Sequence, residues 1–565
     1  MLIFVIRNLL IILNIDTMIK YSACKLLMLM LVFLSVSIDA EATSFYFYVQ
    51  LKDKSNSPYS ISNPSAYLSS RAINRRAYYF VPVDSTDLPV SPVYEQQIRD
   101  LGIHIHCRTK WLNGLTVLVA DSSVMSQVRG LPFVKRVQFT GITNENTAAG
   151  SRRRISKAVN FNYGAAATQI NQLNGSILHD SGFRGENIHI AVLDAGFLNV
   201  DLNPAFDSLR MENRLLGTKD FVNPASDIYS EDSHGAYVLS TMTGNIPGKF
   251  LGTAPKASYL LIRTEADEGE YLCEPDFWVS GIEYADSAGV DLATTSLGYT
   301  QFDDSTMNYT YADMDGKTAR ASIAATMAFR KGIMLLNSAG NDGGYDWHYI
   351  GVPADADGVI TVGSVTKTGT PSWFSSFGPS YDGRIKPELC ATGTSSSLVS
   401  YADSVVINGS GTSFACPILA GMTACYLQAA KAKAPSHTLL LLRRYLTESG
   451  NLYNTPTDQM GYGIPDFAKA YTAINNTSVE NIKNECQVKL LVNSTERKLK
   501  IRILDSTLNL NKAMLVLYSI SGQAVLTSPI NFRSADCDIA GLRSGIYLLT
   551  IEEGGIKYRN KISIR

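Results

Sequence analysis

The chain has 565 residues, a length that predicts about three or four domains. Hydrophobic residues make up 45% of it and the formal net charge is -1, a composition typical of soluble globular proteins. Because there is no basic excess, we expect no nucleic-acid partner. The 7 His are scattered and the 8 Cys form no C-x-x-C pair, so neither a His-rich metal site nor a zinc or thioredoxin-like motif is predicted.

A leader precedes the first domain. Basic residues come before the apolar run 26–34, and Ala40-Glu-Ala42 follows it as a small-x-small cleavage pattern. We interpret residues 1–42 as a secretory signal peptide, with Met18 as the candidate true start. Since no later segment has the pattern of a membrane span, we expect the mature protein to be exported without a transmembrane segment.

The segment 43–145 alternates between strand-like and helix-like patterns in the order β-α-β-β-α-β, which predicts a small α+β domain with the split βαβ arrangement. An insertion at about 52–90 carries Arg71-Ala-Ile-Asn-Arg75-Arg76, which we interpret as a solvated helix face rather than a binding patch. The polar segment 146–160 contains Ser151-Arg-Arg-Arg154 and fits a plain exposed linker and a processing site equally well. A small domain joined by such a linker to a larger one predicts a propeptide.

The large domain, 161–475, has apolar strands that alternate with helical segments, which predicts an α/β fold with a doubly wound, mostly parallel sheet. Four residues suited to catalysis lie at strand ends or helix starts of this domain. In chain order they are Asp194, His234, Asn341 and Ser413. Each alone has a plainer interpretation, as a turn cap, a core histidine, a turn amide or a helix N-cap. Together they are more specific, because open α/β sheets place their sites at the carboxyl ends of strands.

The motifs around these residues resemble those of the subtilisin-like serine proteases, the subtilases. The matching stretches are Ile190-Ala-Val-Leu-Asp194-Ala-Gly196, Ser233-His-Gly235, Ser296-Leu-Gly298, Ala339-Gly-Asn341 and Gly411-Thr-Ser413-Phe-Ala-Cys-Pro417. The resemblance implies a serine endopeptidase that hydrolyses peptide bonds through an acyl-enzyme, with no cofactor required for the chemistry and a structural calcium left open. It implies these roles: Asp194, His234 and Ser413 as the catalytic triad, Asn341 in the oxyanion hole, and Ser296, Leu297 and Gly298 as substrate-binding residues.

Three residues depart from the family pattern. Ala195 stands where the family has Thr, and Ala236-Tyr237 stand where it has Thr-His. We expect activity to survive, with an altered cleft or rate. The departures keep one alternative open, a catalytically impaired subtilase-fold binding protein at the cell surface. An α/β-hydrolase esterase is rejected because it needs Gly-x-Ser-x-Gly and the chain order Ser, acid, His.

Two acidic stretches raise the question of a metal. Asp313-Met-Asp315-Gly316 and Asp355-Ala-Asp357-Gly358 do not continue into an EF-hand pattern, so turns or helix caps are favoured and the metal is left unknown.

After a polar connector at 476–485, the tail 486–565 shows short strands separated by glycines, which predicts a small β-sandwich. An accessory or carbohydrate-binding module is the plain interpretation. However, Leu515-Val-Leu-Tyr-Ser-Ile-Ser-Gly522 and Leu542-Arg-Ser-Gly545-Ile-Tyr547-Leu resemble the C-terminal sorting domain of type IX secretion in Bacteroidota. That resemblance implies the type IX secretion machinery as a partner, and a protein that is secreted or attached to the outer-membrane surface. The Trp111-Leu-Asn-Gly114 region resembles a subtilase inhibitor prosegment, which implies that the propeptide inhibits its own enzyme.

Overall fold

The computed structural model describes three groups of secondary-structure elements. The described residues are 44–79, 81–143, 163–266, 269–434, 437–475, 488–493, 498–503, 513–519, 522–530, 534–543, 545–552 and 556–564. The predicted signal peptide, the predicted processing linker and the connector at 476–485 lie outside them.

The first group is the prodomain. Its elements are β1 (Ser44–Leu51), α1 (Ser70–Tyr79), α2 (Pro92–Arg99), β2 (His104–Thr109), β3 (Gly114–Val119), α3 (Met125–Gly130) and β4 (Val134–Thr143). The strands form one sheet in the order β2-β3-β1-β4, with β3 antiparallel to both of its neighbours. Helices α2 and α3 bury Ile98 and Val128 against one face of that sheet. The predicted split βαβ arrangement is confirmed, with α1 as an addition to it.

The second group is the large domain, which is the predicted catalytic domain. Its helices are α4 (Ala167–Asn171), α5 (Ser176–Asp180), α6 (Asp207–Met211), α7 (His234–Thr243), α8 (Glu274–Ala288), α9 (Arg320–Arg330), α10 (Thr412–Lys433), α11 (Leu439–Glu448) and α12 (Phe467–Asn475). Its strands are β5 (His189–Asp194), β6 (Leu215–Asp220), β7 (Asn245–Ile246), β8 (Phe250–Leu251), β9 (Ser258–Arg263), β10 (Leu292–Thr295), β11 (Met334–Ser338), β12 (Ile360–Val365), β13 (Leu389–Thr392), β14 (Ser396–Val399) and β15 (Val406–Gly409).

The main sheet of this domain has 7 strands in the order β13-β12-β11-β10-β5-β9-β6, and every neighbouring pair is parallel. The predicted doubly wound parallel sheet is therefore confirmed. The two edge strands, β6 and β13, were not predicted from the sequence. Strand β6 is only half buried and ends in Gly-Thr-Lys-Asp, so it lacks the continuous apolar run that a strand covered on both faces requires.

Both faces of the sheet are covered by helices. Strand β5 sends Ile190 and Val192 into a core shared with α7 and α10, while Ala191 and Leu193 face a second core with α8 and α9. Helix α10 is long and apolar enough to cross a membrane by length and composition, but 94% of its apolar stretch is buried inside the fold. It is the central helix of the larger core.

The prodomain lies against α8. Tyr46 of β1 contacts Phe277 of α8 edge to face, with ring centroids 5.4 Å apart. The predicted solvated helix face at residues 71–76 is wrong, because Arg75 and Arg76 are only 4% and 1% exposed. Both guanidinium groups pair with Asp286 of α8, a carboxylate that lies far away in the sequence. The local pattern of the insertion cannot reveal such partners.

The third group forms the C-terminal domain. Its strands are β16 (Val488–Asn493), β17 (Lys498–Ile503), β18 (Met514–Ser519), β19 (Ala524–Pro529), β20 (Ser534–Asp538), β21 (Gly545–Glu552) and β22 (Ile556–Ile564). Two antiparallel sheets, β16-β17-β20 and β19-β18-β21-β22, share one apolar core that includes Leu499, Leu515 and Leu549. This is the predicted β-sandwich, with β20 as an additional strand that the sequence pattern did not predict.

Candidate active site

The four candidate catalytic residues lie at the edge of the sheet where the parallel strands end. Asp194 is the last residue of β5, and Asn341 follows β11. His234 is the first residue of α7, and Ser413 is the second residue of α10. The three substrate-binding candidates, residues 296–298, directly follow β10. The fold therefore brings every predicted site residue to one edge, as expected for an open α/β sheet.

His234 and Asp194 are directly joined. His234 Nδ1 lies 2.6 Å from Asp194 Oδ1, and the Asp194 side chain is 2% exposed while that of His234 is 36% exposed. Burial disfavours the charged imidazole, but the charge of Asp194 and its hydrogen bond outweigh that effect and raise the pKa of His234 above 6.5. Asp232 Oδ1 accepts a 2.5 Å hydrogen bond from the His234 backbone N, which caps the start of α7.

Two glycines explain how helix α7 comes so close to the end of β5. A Cβ atom on Gly235 would lie 2.2 Å from Gly196 O and 3.0 Å from Asp194 Cβ. A Cβ atom on Gly196 would lie 2.3 Å from Asp232 N. Only residues without a side chain permit this backbone approach. The glycines of both motifs therefore set the distance between the carboxylate and the imidazole.

Ser413 lies in the first turn of α10, where free backbone N–H groups favour negative charge. Its Oγ donates a long 3.5 Å hydrogen bond to Ser296 O, and Ser296 Oγ donates a 2.8 Å bond to Ser413 O. Within the described residues, Ser296 O and not His234 Nε2 is thus the partner of Ser413 Oγ. The imidazole lies beside the next residue, Phe414, at 6.1 Å between ring centroids. Catalytic hydrogen bonds are often long before substrate binds.

Asn341 is exposed, and its side-chain amide is held in one orientation. Its Oδ1 accepts hydrogen bonds from Thr412 N at 2.9 Å and Thr412 Oγ1 at 3.0 Å. Because the oxygen is fixed in this way, the amide Nδ2 remains as a donor beside the first turn of α10. A Cβ atom on Gly411 would lie 3.9 Å from that Nδ2.

The substrate-binding candidates form a short extended stretch. Leu297 O accepts a 3.0 Å hydrogen bond from Asn337 Nδ2, while Gly298 is exposed. The next residue, Tyr299, pairs through its backbone with Val352 at 2.8 and 3.1 Å. This pairing anchors one end of the stretch and leaves the backbone of Gly298 at the surface, where an extended peptide can pair with it.

A half-buried carboxyl, Glu265, lies beside the site and was not predicted from the sequence. Glu265 follows β9 at the same edge, and Tyr299 Oη donates a 2.6 Å hydrogen bond to it. Burial raises the pKa of Glu265 to about 8, and the neighbouring charges of Glu270 and Asp194 add to the rise. The available signal was its position two residues after the buried strand β9, since the end of a buried strand also singled out Asp194.

The departures from the family pattern leave the Asp194–His234 contact intact. Ala195 N donates a 2.9 Å hydrogen bond to Asp194 Oδ1, but the second oxygen, Oδ2, has no partner among the described residues. Ala236, in α7, packs into the larger apolar core. The ring of Tyr237 contacts that of Tyr401 at 5.6 Å between centroids.

The two acidic stretches are turns and caps, as predicted. Asp315 Oδ1 accepts hydrogen bonds from the backbone N atoms of Lys317 and Thr318 at 2.7 and 2.8 Å. Asp355 Oδ2 accepts one from Gly316 N at 2.7 Å. Across the part of the chain that the structure describes, no group of three or more His, Cys, Asp or Glu residues is arranged as a metal site.

Models of known protein families match three regions of the chain. The model of the Subtilase family matches residues 185–463, that of the Peptidase S8 propeptide domain of Bacteroidota matches 46–156, and that of the secretion system C-terminal sorting domain matches 493–565. The thermostable alkaline protease of Halalkalibacterium halodurans is 26% identical over 289 residues, which cover 51% of this chain and 69% of that protein.

Subtilisin NAT of Bacillus subtilis subsp. natto is 25% identical over 378 residues, which cover 65% of this chain and 84% of that protein. A solved structure of a mutant of the protease domain of PatA is 24% identical to this chain. The match covers 52% of this chain and 97% of the PatA chain, with a TM-score of 0.40. The sorting-domain match indicates export from the cell. Residues 185–463 belong to the subtilase family of serine endopeptidases, in a precursor that also carries the Bacteroidota propeptide of that family and a C-terminal sorting domain.

Proposed function

We propose that Asp194, His234 and Ser413 act as a catalytic triad that hydrolyses peptide bonds in polypeptide substrates through an acyl-enzyme. The observation that carries the proposal is the 2.6 Å contact between His234 Nδ1 and Asp194 Oδ1, at the sheet edge where α10 presents Ser413. The relatives support it, since they are subtilisins and an alkaline protease.

In the proposed reaction, Ser413 Oγ attacks the scissile carbonyl carbon while His234 Nε2 accepts the hydroxyl proton. Asp194 holds the imidazole in the required tautomer and stabilises the imidazolium. The tetrahedral intermediate then expels the amine, which takes its proton from His234, and leaves an ester on Ser413. Water, deprotonated by His234, attacks the ester and releases the acid product. No cofactor takes part in these steps.

The same geometry suggests how the negative charge of the intermediate is stabilised. Asn341 Nδ2 and the backbone N of Ser413 are the proposed donors to the oxyanion. Both are held before substrate arrives, Asn341 by its two hydrogen bonds to Thr412 and Ser413 by the first turn of α10. The stretch 296–298 is the proposed binding strand for an extended peptide.

The two flanking domains have proposed roles in inhibition and in export. The prodomain, docked on α8, inhibits the enzyme within the same chain until the linker is cut. The tail is recognised by the type IX secretion machinery, which releases the protein or attaches it to the outer-membrane surface, and the tail is then removed. A structural calcium remains a proposal without an assigned site. The alternative, an impaired subtilase-fold binding protein, is favoured by one observation, the bond of Ser413 Oγ to Ser296 O instead of His234.

The deciding experiment is intact mass measurement on freshly purified precursor, residues 43–565. Wild type is compared with Ser413→Ala and with a matched control, Ser410→Ala, whose exposed Oγ accepts a hydrogen bond from Ser395 N. We expect wild type and the control to shed the N-terminal segment near residues 140–165, while Ser413→Ala stays whole. If wild type stays whole and is also inactive on casein after trypsin nicking, the alternative is correct.

A further inference from the structure

A lysine, Lys386, is buried beside the start of β12. Its side chain is 1% exposed, and lysines are almost never fully buried without partners. Its Nζ donates hydrogen bonds to Ala356 O at 2.9 Å, Val359 O at 3.3 Å and Thr361 Oγ1 at 2.9 Å. It also pairs with Glu388, at 2.9 Å from Oε1 and 3.1 Å from Oε2. We call the five oxygen atoms that surround this ammonium group the oxygen cage.

Glu388 balances the charge in the cage. Its side chain is 6% exposed, and it also accepts hydrogen bonds from Arg443 Nη2 of α11 at 2.9 Å and from Thr361 N at 2.8 Å. Burial lowers the pKa of Lys386, and the charge of Glu388 opposes that effect. A buried carboxylate that two cationic side chains share favours the charged form of both.

The cage has the composition of a site for a structural cation. Carbonyl, hydroxyl and carboxylate oxygens are the ligands that hard cations take in proteins. The distances of 2.9–3.3 Å from Lys386 Nζ exceed the roughly 2.3–2.6 Å of calcium–oxygen contacts, so the cage fits a larger, singly charged ion. Potassium is close to an ammonium group in size, and carbonyl oxygens replace its hydration shell in channel filters. The ammonium of Lys386 thus stands where such an ion would be bound.

The cage holds a segment, residues 353–359, that leads back to the substrate-binding stretch. Two of the cage oxygens are backbone carbonyls of this segment, and a third carbonyl, Asp355 O, accepts a 2.6 Å hydrogen bond from Arg384 Nη1. The segment is buried, and buried carbonyl groups need a donor. Just before it, Val352 pairs through its backbone with Tyr299 at 2.8 and 3.1 Å. Tyr299 directly follows the stretch 296–298.

We propose that Lys386 is an internal cation that takes the place of a potassium-sized ion in the oxygen cage, and that it positions the stretch 296–298 through the segment 353–359. A charge that is covalently attached cannot dissociate, so the segment stays ordered whatever ions surround the exported protein. Lys386 lies at the amino edge of β12 and takes no part in the catalytic steps, so it is a positioning residue. Only the effect on substrate binding rests on the proposed function.

The test measures amide hydrogen exchange by mass spectrometry on the precursor, residues 43–565 with Ser413→Ala. Lys386→Ala empties the cage, and Lys386→Met fills the same space with an uncharged chain. Lys317→Ala is the matched control, since the Lys317 side chain is 76% exposed. Each protein is measured in potassium chloride and in tetramethylammonium chloride at equal ionic strength, because tetramethylammonium is too large for the cage.

In tetramethylammonium chloride, we expect the amides of Tyr299 and Val352 to exchange about tenfold or more faster in both Lys386 variants than in the parent, because buried carbonyls lose their donor. Potassium chloride should restore slow exchange in Lys386→Ala but not in Lys386→Met, and Lys317→Ala should match the parent in both salts. A Lys386→Ala protein that folds only in potassium chloride also supports the proposal. The same behaviour of Lys386→Ala in both salts, unfolding included, or an equal potassium effect in Lys317→Ala, overturns it.

The effect on substrate binding is measured on the same variants with Ser413 restored and the linker cut by an added protease. In tetramethylammonium chloride, Lys386→Ala should raise KM for a chromogenic peptide about fivefold or more and keep kcat within about threefold, and potassium chloride should restore KM. An unchanged KM beside faster exchange would overturn the positioning role. If wild type itself cleaves nothing, the proposed function fails, while exchange at Tyr299 still decides whether Lys386 orders the stretch.

Discussion

Replacing Asn341 by Ala tests whether its amide stabilises the oxyanion. The hydrogen bonds from Thr412 N and Oγ1, at 2.9 and 3.0 Å, fix Oδ1 and leave Nδ2 ready to donate without reorganisation. Removing such a donor costs about 100- to 1000-fold in kcat, a size known from subtilisin itself. Since the oxyanion forms only in the transition state, we expect KM to change by less than about threefold.

A second variant measures how much the hydrogen bond from Thr412 Oγ1 to Asn341 contributes to kcat. Thr412→Val removes the Oγ1 hydrogen bond but keeps the one from Thr412 N. One hydrogen bond is worth about 0.5–1.5 kcal/mol, so we expect kcat to fall only about 2- to 13-fold. The assay is kcat and KM on a chromogenic peptide, with each precursor cut in the linker by an added protease. A loss expressed in KM alone for Asn341→Ala, or equal losses in kcat for both variants, would refute the reasoning.

Three further outcomes are expected. Because Asp194 raises the pKa of His234 and a protonated imidazole cannot accept a proton, kcat/KM should rise with an apparent pKa above 6.5, and a rise at or below 6.5 contradicts that pairing. Gly235→Ala, whose Cβ would meet Gly196 O at 2.2 Å, should lower activity and reduce the free energy of unfolding by about 1–3 kcal/mol in a denaturant titration, whereas Gly130→Ala, with no atom within 4 Å, should not. Deleting residues 486–565 should trap the protein in the periplasm, and unchanged amounts in the culture medium would disprove the sorting role.

Most of the catalytic fold follows from local patterns. The buried strands β5 and β11 are near-continuous apolar runs, so their ends, and the polar residues Asp194 and Asn341 that sit at or after those ends, could be located without coordinates. The half-polar edge strand β6 has no such pattern and was missed. Glu265 was missed for a related reason: it follows a correctly predicted strand, but its burial arises only from residues such as Tyr299 that pack on it.

The amino-acid sequence by itself determined which chemical groups are present and where each lies along its own strand or helix. That held for the candidate triad because the end of a strand and the start of a helix are local features. Only the tertiary structure decided which charges meet. Arg76 and Asp286 are 210 positions apart, and Lys331 and Asp87 are 244 apart. An arginine on a helix looks solvated until a carboxylate from another domain is placed against it, because burial of a charge depends on its partner and not on its neighbours in the chain.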